Sequence, residues 1–343
     1  METILCLLHT DADGSLPRVA LEALAATRAL AQAQGAAFSV GMVGAEVQKA
    51  GARVATCGAT RFLAVSGSDF VQSRYGTDAA AAAAICKAAS ATLVIAPGTS
   101  RWARALPGVA HRLGGRVDTH VASVSAAGGA VAVGRWSYRQ RIETELSRKQ
   151  RPWLLLVDPG IAAAWDGLAD AVTLEEVPVA AAGECTRTVV SGIQAPPADA
   201  QTIRPDAALL LVAGAGWTKA QADGKPHVDE AARLILGFLA QTKASLGSSK
   251  SLVDLSGEGQ SVLPFLTHLH QVGQTGATPR HPKGLATCCH GEEPHTVGWR
   301  FIGERRAVNL DPGCGWARGK ADVLYVADAF QVLAKVNALL AEK

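Results

Sequence analysis

The sequence predicts an α/β protein of two domains, each built on a mainly parallel, doubly wound sheet. Short apolar runs alternate with Ala-rich stretches of helical period along most of the chain, the pattern of strands covered on both faces by crossover helices. The length of 343 residues fits two units of ~100–200 residues each. With 35 glycines and only 5% aromatic residues, the chain suits close helix-on-sheet packing and tight strand-to-helix turns.

The elements follow in order. Thr3–Leu8 is a strand, and 17–34 carries apolar residues at helical spacing up to Gly35. Ala37–Val43 is a strand, 46–52 a short helix, 61–65 a strand and 77–88 a helix. The apolar run ATLVIA (91–96) is a strand, followed by Pro97-Gly98-Thr99-Ser100 and a helix over 101–113. From Val117 the pattern changes to ribbon segments at 120–125, 131–137 and 140–146, the first two joined at Gly128-Gly129. A buried strand at 152–157 closes the first domain, 1–182. Residues 183–204, with Pro196-Pro197, form a connector, and 205–343 form the second domain. There the expected elements are a strand at 207–212, a turn at 214–217, a helix at 228–242, a short strand at 251–255 and a helix at 264–272. Strands at 284–288, 306–310 and 323–326, a helix start at 294–299 and a final helix at 329–341 complete it.

Composition narrows the function classes. A chain that is 48% hydrophobic and 18% charged sustains a sizeable core. Its net charge of +3 is too small to argue for nucleic acid. Seven scattered cysteines, an odd count, do not make a secreted disulfide framework, so reduced thiols in a cytoplasmic protein are expected. The opening METILCLLHTDADG has no basic leader and reads as a first strand. No apolar run reaches ~18 residues, so no membrane span is expected.

Two stretches carry groups suited to a ligand. LLLVAGAGWTKA (209–220) leaves a buried strand for a glycine corner, where Gly214 lets a backbone approach a phosphate and a following helix start attracts an anion; an ordinary βα turn has the same pattern. VGQTGATPRHPKGL (272–285) places an amide, a hydroxyl and a free backbone together at Gln274, Thr275 and Gly276. Such groups grip a heterocycle edge or a pyrophosphate, and they also suit a plain polar loop.

The phrase VGQTG resembles the flavin-site signature of electron-transfer flavoprotein alpha subunits. Gly247-Ser248-Ser249-Lys250-Ser251-Leu252-Val253-Asp254 is similar to that family's Gly-Ala-Ser-Arg-Ala-Ala-Val-Asp segment. Asn309, Asp311-Pro312 and Ala327-Asp328-Ala329-Phe330 resemble its closing Asn, Asp-Pro and Ala-Asp-Leu-Phe. Order and spacing agree over about 205–340, and more loosely, through phrases such as APGTS at 96–100, over the first half. The resemblance implies a second domain that is a flavin-binding Rossmann-like unit holding FAD. It implies electron relay from a flavin-dependent dehydrogenase to a membrane quinone reductase, with no substrate chemistry of the chain's own. It also implies an obligate, smaller beta-type partner subunit. The cofactor residues it implies are Gly214, Ser249, Lys250, Gln274, Thr275, Gly276, His290, Gly291, His295, Asn309 and Asp328.

Several positions depart from the family. Its Ser-Gly-Gly-Arg-Gly turn appears as Ala213-Gly214-Ala215-Gly216-Trp217, without the Arg. Its Ser-Arg appears as Ser249-Lys250, which keeps a cation and loses the planar fork that stacks and bonds bidentately. Its Gly-Ile-Ser-Gly-Ala-Ile-Gln-His becomes Cys288-Cys289-His290-Gly291-Glu292-Glu293-Pro294-His295; the retained His295 corresponds to the histidine facing the flavin O2 edge. Glu292 and Glu293 either complement a helix start or repel a pyrophosphate. The alternative function is a structural subunit of a larger dehydrogenase complex, its flavin site decayed or repurposed for an adenine nucleotide.

Two remaining clusters read more plainly. Cys288-Cys289-His290, with His295 and Cys314, fits structural zinc spacing poorly, so ordinary thiols and no metal are expected. In Arg135-Trp136-Ser137-Tyr138-Arg139-Gln140-Arg141, strand alternation puts the cations on one face and the aromatics on the other. Trp136 and Tyr138 are then expected to be buried. The cationic face suits a nucleic-acid platform, a protein interface or a solvated edge, and a protein contact is the expectation.

Overall fold

A computed structural model describes residues 2–342 apart from 128, 139–141, 180–184, 186, 193–202, 205–206, 255–260, 274–277, 288–300 and 313–320. The chain divides into two compact units, Met1–Gln194 and Ala195–Lys343.

The first unit alternates β1 (Ile4–His9), α1 (Arg18–Gln34), β2 (Phe38–Gly44), α2 (Gln48–Val54), β3 (Arg61–Ser66), α3 (Tyr75–Ala88), β4 (Leu93–Pro97) and α4 (Ser100–Arg112). It continues through β5 (Arg116–Ala127), β6 (Ala130–Ser137), β7 (Ile142–Leu146), β8 (Trp153–Val157) and a two-residue β9 (Glu175–Glu176). These strands form one sheet in the order β7-β6-β5-β8-β4-β1-β2-β3-β9. Every neighbouring pair is parallel except β5–β6 and β6–β7, which make the antiparallel ribbon. The central strands are apolar throughout because both faces are covered. Ile4, Cys6 and Leu8 pack with α1 and α2, while Leu5 and Leu7 pack with α3 and α4.

The ribbon corrects one expectation. Trp136 is only partly buried, and Tyr138 is 76% exposed. Tyr138 lies just past the end of β6 at φ 51°, so strand alternation no longer decides its side. The Arg135 guanidinium turns back onto its own chain, donating from Nε to the Thr119 carbonyl at 2.8 Å. Arg139 and Arg141 lie outside the described residues.

The second unit contains β10 (Leu209–Ala213), α5 (Val228–Thr242), β11 (Ser245–Ser248), α6 (Lys250–Asp254), β12 (His281–Thr287), β13 (Ile302–Asn309), β14 (Val323–Val326) and α7 (Ala329–Ala341). Its sheet order is β11-β10-β12-β13-β14, parallel throughout. Leu211 and Ala213 face α5 and α7, and Leu210 and Val212 face the opposite way, against Val272 and Phe301. The two-domain, doubly wound α/β expectation is therefore met.

Two elements of this unit differ from the sequence reading. The strand expected at 251–255 is the helix α6, and the strand lies earlier, at β11. Ser249 is responsible, because its hydroxyl accepts the Leu252 amide at 3.3 Å and starts a helix. Gly247 explains why β11 shows no apolar run, since a Cβ there would stand 2.4 Å from Val272 Cγ2. The helix expected at 264–272 is reduced to a 3-10 turn, His268–His270, closed by a reciprocal cap between Thr267 and His270. The expected helix start at 294–299 lies outside the described residues.

Candidate functional site

In an open parallel sheet, ligands bind beyond the carboxyl ends of the strands, at the point where strand order reverses. In the second unit the chain leaves β10 for β11 on one side and returns to β12 on the other, so the reversal lies between β10 and β12.

The described candidate residues all stand on this carboxyl edge. Gly214 follows β10, Ser249 and Lys250 follow β11, Asn309 ends β13, and Asp328 stands just beyond β14. Two pairs form. The Ser249 amide donates to the Ala213 carbonyl at 2.9 Å, which seats it beside Gly214. The Ala327 amide donates to the Asn309 carbonyl at 3.2 Å, which seats Asp328 beside Asn309. The end of β12 lies between the pairs. At ~4.8 Å per strand, the edge from β11 to β14 is about 19 Å. Gln274, Thr275, Gly276, His290, Gly291 and His295 lie outside the described residues, as do Cys288, Cys289 and Cys314.

Each described side chain has local work. Lys250 Nζ stands 3.8 Å from Asp254, one helical turn away and half-exposed. Asn309 is buried, and its Oδ1 accepts from the Asp311 amide at 3.4 Å. Asp328 caps α7, accepting from Phe330 N at 2.7 Å and Gln331 N at 3.4 Å.

Sequence reasoning missed four further residues. Ser248 Oγ and Gln271 Oε1 are buried and have no hydrogen-bond partner among the described residues, on two segments joined by a parallel bridge at the β11 edge. Trp217 is fully buried, and its indole N–H donates to Thr287 Oγ1 on β12 at 2.8 Å. The long-range contacts of Trp217 and Gln271 leave no local sequence signal. A tryptophan inside a glycine corner was the one visible oddity.

The first unit gathers polar groups at its own carboxyl edge. His9 Nε2 lies 2.9 Å from Thr99 Oγ1, the hydroxyl that caps α4. Burial, helped by the nearby Arg101 charge, pushes the His9 pKa down to about 4, so the ring is neutral at pH 7. Arg101 and Asp78 form a buried ion pair at 2.7 Å; burial pushes the Asp78 carboxyl up, against the opposing pull of Arg101. Within β5, at the register shift opposite the end of β8, His120 stands 3.4 Å from Asp158, whose hydrogen bond raises the His120 pKa. Among the described residues, no group of three or more His, Cys, Asp or Glu side chains gathers as a metal site.

A family model for the electron transfer flavoprotein domain matches residues 4–183. The chain belongs to the electron transfer flavoprotein family. The match contains every strand of the nine-stranded sheet and ends before the second unit. No curated protein matches the chain. Membership brings a role in electron transport into view, and with it a flavin. A flavin at the β11 edge of the second unit would offer polar partners near Ser248 Oγ and Gln271 Oε1. No described helix is long and apolar enough to cross a membrane.

Proposed function

We propose that this chain is the alpha-type subunit of a two-subunit electron-transfer flavoprotein, with FAD held by the second unit. The supporting observation is the placement of Ser249, Lys250, Asn309 and Asp328 on one carboxyl edge of a separate parallel sheet, following a flavoprotein-family domain. Ser249 and Lys250 would serve the flavin ring end, together with Gln274, Thr275, Gly276, His290, Gly291 and His295. Asn309 and Asp328 would serve the AMP half. When bound, FAD supplies the capacity to take up and release electrons. The chain's residues bind and orient it, and Lys250 contributes positive charge where the family has an Arg.

The partners in this reading are a beta-type subunit, which the first domain (1–182) would engage, a flavin-dependent dehydrogenase as donor and a membrane quinone reductase as acceptor. The test is co-expression with a beta-type subunit, followed by a visible spectrum and mass identification of released ligand. A flavin spectrum with FAD released supports the relay. A folded monomer that ignores the partner would overturn the assembly. The buried Trp217 in the turn after β10, bonded to Thr287, favours a second reading, a structural subunit of a larger dehydrogenase complex whose site takes an adenine nucleotide or nothing. A colourless complex that releases only an adenine nucleotide would establish it.

A further inference from the structure

The turn after β10 is where a doubly wound sheet ordinarily receives a phosphate: its free amides and the next helix start point at the ligand. Here three of the turn's amides are committed within the protein. The Gly214 amide donates to the Thr287 carbonyl at 2.9 Å, the Trp217 amide to Gly214 O at 3.3 Å and the Lys219 amide to Gly216 O at 3.4 Å. The turn continues as a buried 3-10 segment, Ala215–Thr218, and α5 does not begin until Val228. Asp229 and Glu230 occupy the first turn of α5, so two carboxylates already answer its helix dipole.

Trp217 takes up the space. Its backbone belongs to the β10 turn and its indole N–H reaches the last residue of β12, while Ala213 and Thr287 are direct partners across the sheet. The indole thus lies across the reversal point. Its ring packs against Phe330 of α7 at 4.6 Å between centroids, and Asp328 holds the Phe330 amide. Trp217 is fully buried, as is Thr287.

We propose that Trp217 is the built-in occupant of the β10–β12 crevice, and that a dinucleotide held by this unit makes no phosphate contact at the turn after β10. The indole donates to Thr287 Oγ1, whose own hydroxyl points to the Val212 carbonyl, and fills the space a bound phosphate would otherwise take there. The ligand is kept off that turn and lies along the carboxyl edge outside it. The claim about the ligand rests on the proposed FAD-holding role, whereas the closed crevice does not.

The test is hydrogen exchange of the Trp217 indole N–H by NMR in the two-subunit complex, with the resonance assigned by Trp217→Phe. The N–H should be strongly protected, and Thr287→Val, which removes its acceptor, should speed exchange on the order of tenfold. Thr287→Ser keeps an acceptor and should keep exchange slow. Saturating FAD should leave the wild-type rate within about threefold. Fast exchange in the wild type, or no response to Thr287→Val in a folded complex, overturns the closed crevice. Acceleration on the order of tenfold with bound FAD overturns the restriction on the ligand. If no FAD binds, the relay reading fails, and the Thr287 variants still decide whether the crevice is closed.

Discussion

Removing the carboxylate of Asp78 should destabilise the first unit by about 3–5 kcal/mol, because it strands a buried cation. The Asp78 side chain is 0% exposed and that of Arg101 7%. Arg101 Nε donates to both carboxylate oxygens at 3.1 Å, and Nη2 donates to Oδ1 and to the Phe70 carbonyl, each at 2.7 Å. In Asp78→Ala the guanidinium keeps the Phe70 carbonyl and loses its counter-charge. A further ~0.3–1 kcal/mol goes with the acid in the first turn of α3. A cost of 3–5 kcal/mol is a large part of the ~5–15 kcal/mol that holds a domain together. For a unit of this size it corresponds to a fall in Tm of roughly 6–20 °C. The double variant Asp78→Leu/Arg101→Met removes both charges and should lie closer to the wild type than Asp78→Ala does. Because a chain of two units need not unfold in one step, the assay is amide exchange by mass spectrometry, read in β1 and β4. A loss below about 1 kcal/mol in Asp78→Ala, or a double variant at least as unstable as the single, would refute the reasoning.

Further outcomes follow from other sites. Lys250→Arg should tighten FAD in the complex by on the order of tenfold and raise its potential, since a planar fork adds a charge-assisted bond; unchanged affinity and potential in spectroelectrochemical titration would count against the role of Lys250. Asp328→Ala should cost unit two about 1 kcal/mol, seen as faster amide exchange in the first turn of α7, whereas equal rates would show that the cap is idle. His120 should titrate above its ordinary 6.5, and Asp158→Asn should lower it; a raised folded pKa means the pair stabilises below about pH 6.5 and its contribution disappears as pH rises through the folded pKa, which NMR titration of the His120 ring can check. His9, held down to about 4 by burial and then by Arg101, should show no titration between pH 5 and 8 in the same spectra.

The parallel cores were legible because burial on both faces writes itself into sequence as unbroken apolar strands. ILCLLH and LVIAP display this, and WLLLV does likewise. SLGS did not, because β11 is buried with two serines and a glycine that clears space for Val272. The following SLVDL misled for a related reason: two buried apolar residues suit one turn of helix as well as a strand, and the Ser249 cap decided between them. Tyr138 escaped its expected face through one left-handed backbone angle. At the candidate site, resemblance supplied residues that the fold seats on one edge, but not the closure between them. Trp217 and Thr287 are seventy positions apart, and no local period links an indole to a hydroxyl at that distance.

The sheets also end differently. The outer strand β7 presents Glu143 and Glu145 to solvent, and like charges on a strand rim discourage another strand from docking. On the second sheet the outer strand β14 exposes Val323, Tyr325 and Val326 instead, with a length of only four residues to limit pairing. Concentrated preparations of the chain should therefore self-associate first through the second unit. A lysine in place of Val326 would be the economical solubilising change for crystallisation or NMR.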